Sequence, residues 1–144
     1  MGVDPEILSE VPFFSLLDEQ ERAALAERVD TVTTPAGTTL FNYGDPGGSL
    51  YIVRAGEVEI FFKNDTGERI VLETAGKGDF FGEISLLDRG PRTATVTATT
   101  DIHLLGVTAW VFRGLLTEYP SIALKLLEVV TARLRKVMKG PLDA

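Results

Sequence analysis

LYIVRAGEVEIFFKNDTGERIVL, residues 50–72, decides the fold. Within it Val58, Ile60 and Phe62 alternate with Glu57, Glu59 and Phe61, the period of a strand with one buried face and one wet face. Leu50–Arg54 reads as a strand ahead of it, set off by a turn at Ala55-Gly56. Asn64-Asp-Thr-Gly67 supplies hairpin-loop residues, and the chain returns through Ile70-Val-Leu72. Strands this close in sequence pair antiparallel, because a parallel pair needs a crossover of a dozen or more residues.

Working outward, Thr31–Thr34 runs into Pro35-Ala-Gly37, and Thr39–Tyr43 is stopped by Gly44-Asp-Pro-Gly-Gly48. Downstream, Ala94, Val96 and Ala98 alternate with Thr95, Thr97 and Thr99, and Ile102–Val107 completes the set. Helices flank this region. Asp18 and Glu21 have capping-box spacing ahead of Ala23–Ala26, and Val11–Leu17 forms a short apolar turn before them. Thr108 caps a helix whose Phe112, Leu115, Leu116 and Tyr119 make one apolar stripe, ended by Pro120. Ser121 is then expected to cap a last helix that packs through Ile122, Leu126, Val130 and Leu134 and stops at Gly140-Pro141. Trp110 and Tyr119 are expected to be packing residues. The expected fold is α+β and mainly β: an antiparallel β-roll (double-stranded β-helix or jelly roll) with N-terminal helices and two C-terminal helices. It is expected to form one domain over residues 1–144: helical at 1–28, β-roll at 29–107, C-terminal helices at 108–139.

Composition narrows the function. Hydrophobic residues make up 44% of the 144, enough for one globular core. With no cysteine and only His103 among histidines, thiolate and multi-histidine metal sites are excluded. No apolar run has the length of a membrane span, and MGVDPEILSE lacks the pattern of a secretory signal, so a cytoplasmic location is expected. The net charge of −7 argues against general nucleic-acid binding. That charge is uneven: residues 1–120 hold nine basic and 19 acidic residues, whereas residues 121–139 hold Lys125, Arg133, Arg135, Lys136 and Lys139 against Glu128 alone. The basic stretch is either a solvated helix face or an element drawn to an acidic body. Asp101 and His103, two apart on a strand with no nucleophile nearby, do not make a catalytic pair, and no enzyme activity is expected.

One segment interrupts the strand pattern: FFGEISLLDRGPRTATV, residues 80–96. Gly78-Asp79 turns the chain, and Gly82 lets backbone approach another group closely. Glu83–Leu87 can make a helical turn or two, whose free N–H groups at Ile84 and Ser85 suit an anion. Gly90-Pro91 turns the chain back, and Arg92 falls on the same strand face as Ala94 and Val96, the inner one. A guanidinium and a helix start thus face one loop from two sides, a combination suited to phosphate oxygens. Glu83 is out of place in a pure phosphate site but fits a ligand with a hydroxyl beside its phosphate, such as a ribose 2′-hydroxyl. Phe80 and Phe81 read as core.

Phe81-Gly-Glu-Ile-Ser-Leu-Leu87, three residues, then Pro91-Arg-Thr-Ala-Thr-Val96 resembles the phosphate-binding cassette of cyclic nucleotide-binding domains. Leu50–Val58 resembles a strand-turn-strand signature of the same family, and the order of elements from Val11 to Lys139 matches. The resemblance implies a cAMP or cGMP ligand, cAMP the more favoured, and no cofactor or metal. It implies that Glu83 accepts from the ribose 2′-hydroxyl and Arg92 neutralises the cyclic phosphate. Phe81, Gly82, Ile84 and Ser85 belong to the cassette, the last three as backbone contacts, and the Thr93 hydroxyl reaches phosphate or purine. Leu72 either lines the purine pocket or joins the core. The last helix is expected to close as a lid, with Val137 or Met138 against the base and Arg133 or Arg135 as a polar alternative. Nothing after Lys139 resembles a helix-turn-helix, so the expectation is a monomeric sensor, stand-alone or part of a longer protein, whose effector or partner protein is not evident. The competing expectation is a protein-interaction module with an empty, vestigial pocket.

Overall fold

The computed structural model describes residues 2–9, 11–83 and 89–139, with the side chains of residues 12, 13 and 137–139 outside that description. Its elements are α1 (Pro5–Leu8), a 3-10 turn (Pro12–Leu16), α2 (Glu19–Ala26), β1 (Asp30–Thr34), β2 (Thr39–Phe41), β3 (Ser49–Ala55), β4 (Val58–Lys63), β5 (Arg69–Ala75), β6 (Phe80–Phe81), β7 (Thr95–Ala98), β8 (Ile102–Thr108), α3 (Ala109–Glu118) and α4 (Pro120–Lys139). The strands form two four-stranded sheets, ordered β1-β8-β3-β6 and β2-β7-β4-β5, and the pairs between these strands are antiparallel. This is the expected mainly-β architecture with helices at both ends.

Two apolar layers explain the arrangement. Val53, Phe81, Ile102 and Leu104 from the first sheet meet Val58, Ala75, Val96 and Ala98 of the second inside the roll. The other face of the first sheet, through Leu50, Ile52, Phe80, Leu105 and Val107, packs on Leu8, Phe14, Leu25, Phe112, Leu115, Ile122 and Leu126. Strands β3 and β8 are therefore covered on both faces, which is why Leu104 and Leu105 are both buried although neighbours point to opposite sides. Burying Phe112 completely makes its truncation to alanine cost about 3–5 kcal/mol.

The expected alternation of β4 fails halfway. Pairing with β5 shifts register between Ile60 and Phe61; Phe61, opposite Thr95 of β7, is buried beneath the Arg69 guanidinium on the outer side of the roll, and Phe62 is half-buried. The short strand β6, not foreseen, pairs Phe81 with Tyr51 and Phe80 with Ile52, bringing the segment at Gly82 against β3.

The capping box of α2 is present: Glu21 N–H donates to Asp18 Oδ1 at 2.7 Å, and Asp18 N–H donates to Glu21 Oε1 at 2.8 Å. Thr108 caps α3 by accepting from Val111 N–H. Ser121 does not cap α4, which already begins at Pro120. Its hydroxyl donates instead to Glu21 Oε2. The i, i+4 stripe on α4 also fails at its far end, where Leu134 is 57% exposed. At about 100° per residue, each four-residue step turns the side chain some 40° further round, so a stripe that starts on the core leaves it. Trp110 is not a packing residue: it is 85% exposed, while Tyr119 is half-buried against the helical core. Among the described residues no helix is long and apolar enough to cross a membrane, and no cluster of metal-ligating side chains occurs.

Candidate functional site

The backbone at Gly82 sets the geometry. Its φ is +91°, and a Cβ there would stand 2.8 Å from the Ser49 carbonyl oxygen and 2.8 Å from Arg92 Nη1. Only glycine allows β6 to run this close to β3 and admit the guanidinium alongside. Arg92 is 5% exposed. Its Nη2 donates to the Ser49 carbonyl at 3.0 Å and Nη1 to the Gly82 carbonyl at 3.3 Å, and its guanidinium lies 4.0 Å from the centre of the Phe41 ring. Phe41, Tyr51 and Phe81 form one aromatic cluster beneath it. The backbone on either side is fixed too: Arg92 N–H donates to the Asp45 carbonyl, and Gly44 N–H donates to that of Arg92. Burial pushes the Arg92 pKa down from its ordinary value, while Tyr51, Asp45 and Glu83 push it back up. A guanidinium remains a cation under such a shift.

The parity argument holds. Arg92, Ala94, Val96 and Ala98 are all buried, whereas Thr93 is exposed. Together with Phe41, Ile60, Leu72, Glu73, Phe81, Gly82, Glu83, Thr93 and Arg133, the first three line a cavity of about 300 Å³. That is the lower end of the range for small-molecule sites, about 300–1,000 Å³. Its walls pair apolar side chains with one buried cation, Arg92, and one part-buried anion, Glu83. A wider groove of about 960 Å³, lined by Thr39, Tyr43, Lys63, Arg69 and Thr97 among others, has no comparable buried pair.

Glu83 is held by α4. Arg133 Nη1 donates to both carboxylate oxygens, at 3.0 and 3.1 Å, and Nη2 donates to the Phe80 carbonyl at 2.7 Å. The Arg133 guanidinium also sits over the Phe80 ring, 4.2 Å from its centre. Burial raises the Glu83 carboxyl above its ordinary value and Glu73 adds to the rise, while Arg133 and the Glu83 backbone N–H oppose it. The Arg133 cation therefore offsets only part of the cost that burial sets on a charged Glu83 carboxylate.

The structure brings Phe81, Gly82, Glu83, Arg92 and Thr93 together at one cavity. Leu72 is 54% exposed and lines the cavity rather than joining the core. Ile84 and Ser85 lie outside the described residues, as do the side chains of Val137 and Met138. Of the two arginines expected near a lid, Arg133 reaches the cavity, whereas Arg135 is exposed and absent from its lining. Sequence reading missed Glu73. Its place on the strand after the hairpin, next to Leu72, was the available signal.

The family model described as cyclic nucleotide-binding domain matches residues 31–119. The chain belongs to the cyclic nucleotide-binding domain family. It is 34% identical over 138 residues to the CRP-like cAMP-activated global transcriptional regulator of Mycobacterium tuberculosis, covering 96% of this chain and 62% of that protein. It is 42% identical over 97 residues to a cAMP-dependent protein kinase regulatory subunit of Aspergillus fumigatus, covering 67% of this chain and 23% of that one. Among solved structures, the N-terminal domain of a transcriptional regulator from Streptomyces coelicolor superposes with a TM-score of 0.77 at 38% identity, covering 94% of this chain and 95% of that one. The chain thus spans less than two thirds of the length of these two curated relatives.

Proposed function

We propose that this chain is a non-enzymatic sensor that binds a 3′,5′-cyclic nucleotide, cAMP in preference to cGMP. The observation that carries this reading is the placement of buried Arg92 and part-buried Glu83 on the walls of one cavity otherwise lined largely by apolar groups. The cyclic phosphate docks on Arg92 and on the backbone following Gly82, the ribose 2′-hydroxyl donates to Glu83, and the base lies against Ile60, Leu72 and Val96. Thr93 offers its hydroxyl at the edge. The preference for cAMP is supported by the apolar walls and by two relatives, described as cAMP-activated and cAMP-dependent. Family membership supports a regulatory rather than a catalytic role.

In this reading α4 is the lid. It touches the cavity through Arg133, and its position changes with occupancy because a ligand moves an equilibrium only through contacts that differ between states. A thermal-shift titration tests the proposal: a ligand that binds only the folded state raises its stability by mass action. cAMP is expected to raise the melting temperature at lower concentration than cGMP. No shift with either nucleotide at millimolar concentration refutes the proposal and favours an interaction module with a vestigial pocket.

A further inference from the structure

We propose that Phe41 is a positioning residue for the phosphate-binding cation: a bulge in β2 turns its ring into the cavity, where it holds the Arg92 guanidinium by its flat face. The inference rests on the cyclic nucleotide reading above and deepens it. Its starting point is the pairing of β2 with β7, in which Thr39 stands opposite Thr97 but Phe41 stands opposite Val96. Two residues of β2 advance against one of β7. In an unbroken ladder Phe41 would face Thr95 and share a side with Thr39. That side is the outer groove, which Thr39, Thr95 and Thr97 line. The extra residue places Phe41 instead beside Val96, on the wall of the cavity. Bulges next to functional sites re-aim side chains in this way.

The ring is itself held from the facing sheet. Tyr51 of β3 stacks on it with centroids 6.4 Å apart and planes at 21°, and Phe81 of β6 meets it at 6.1 Å, tilted by 41°. Its plane is therefore set without a ligand. The guanidinium carbon of Arg92 lies 4.0 Å from the ring centre, inside the reach of a cation–π contact. The Ser49 and Gly82 carbonyls meanwhile accept from its Nη atoms. Backbone from one sheet fixes the edge of the guanidinium, and a ring from the other fixes its face. Arg92 is 5% exposed, and burial disfavours its charge. The electron-rich face of Phe41 offsets part of that cost and keeps the cation in the cavity. An aliphatic side chain would fill the same space without attracting it. A guanidinium that has lost the ring turns away from the phosphate position and must be ordered again at each binding event. Preorganisation removes that cost from the affinity.

The test replaces Phe41 by mono- and trifluorinated phenylalanine, which drain charge from the ring face while nearly keeping its shape. Each ring is placed in the wild-type chain and in Arg92→Ala, and thermal stability and cAMP affinity by calorimetry are measured for all. With Arg92 present, stability and affinity should fall stepwise with the number of fluorines. The trifluorinated chain should bind cAMP about two- to twelvefold more weakly, the ordering cost of one long side chain. In Arg92→Ala the same rings should change the residual affinity by less than about twofold, since a coupling routed through Arg92 vanishes with it. The stability steps should vanish there too, a readout that needs no ligand. Affinity that stays level or rises across the rings, while the wild type binds cAMP, overturns this inference alone. Equal affinity losses with and without Arg92 make the ring a direct ligand contact, and equal stability steps make it packing only; either result overturns it as well. A wild-type chain that binds neither cAMP nor cGMP removes the cyclic nucleotide reading itself, and the inference with it.

Discussion

Gly82 is the residue on which the site's dimensions depend. Its positive φ and the 2.8 Å approach to the Ser49 carbonyl leave no space for a methyl group, because the obstacle is backbone on a central strand. Gly82→Ala is expected to destabilise the fold by about 1–3 kcal/mol, the cost of a residue held in a sparsely populated backbone region. Because Arg92 Nη1 stands equally close to the new methyl, nucleotide affinity should fall as well. Urea denaturation and a ligand titration on the same variant check both effects, and unchanged stability would contradict the strain argument. This position was legible in the sequence, since a glycine between Phe81 and Glu83 had to be explained. The Arg133 contact was not legible. It joins residues 50 positions apart, and no local pattern distinguishes Arg133 from Arg135 on a basic helix face.

Among the elements, α2 and α4 are bolted together by a buried carboxylate. Glu21 is 2% exposed, accepts from its own N-cap at Asp18, and takes the Lys125 ammonium at 2.6 Å and the Ser121 hydroxyl on its other oxygen. Burial raises its pKa, but the hydrogen bonds from Lys125, Ser121 and Asp18 and the charge of Lys125 outweigh burial and hold it below 4.5. A carboxyl with a lower pKa folded than unfolded binds fewer protons in the folded state. Its contribution to stability is therefore full above the unfolded value and is lost as pH falls through the folded one. Glu21→Gln should lower stability at neutral pH by about 1–3 kcal/mol, mostly from the buried partners left short of an acceptor. It should also flatten the part of the stability profile below pH 4.5 that Glu21 provides. Denaturation curves from acid to neutral pH check this, and parallel profiles for wild type and variant would contradict it. The capping box was readable from Asp18 and Glu21, but its second use was not: the Glu21 partners on α4 lie 100 and 104 residues away. Ser121 was read as a cap because serine before an apolar run usually is one. Here tertiary contact with Glu21 prevailed.

On the scale of the whole molecule, the charge imbalance is resolved by folding. Two basic residues of the last helix, Lys125 and Arg133, pair with carboxylates of the acidic remainder, buried Glu21 near the helix start and part-buried Glu83 at the cavity. The helix is thereby held at two places, one structural and one at the site. The roll itself was legible because alternation and turn residues repeat along the chain. The bulge at Ile60–Phe61 was not, since neither glycine nor proline marks it and both flanking residues are apolar. Nor was the exposure of Trp110, because an aromatic residue early in an amphipathic helix carries no sign of which side the body lies on. The net charge of −7 sharpens what the cavity must do: an anionic ligand is repelled by the chain at large and must be held by a local cation. Calorimetric titration of cAMP into wild type and Arg92→Ala therefore puts the question most directly. The account predicts saturable one-to-one binding that weakens about 10- to 150-fold in the variant, the equivalent of a charge-assisted hydrogen bond of roughly 1.5–3 kcal/mol. Equal affinity for the two proteins would contradict it.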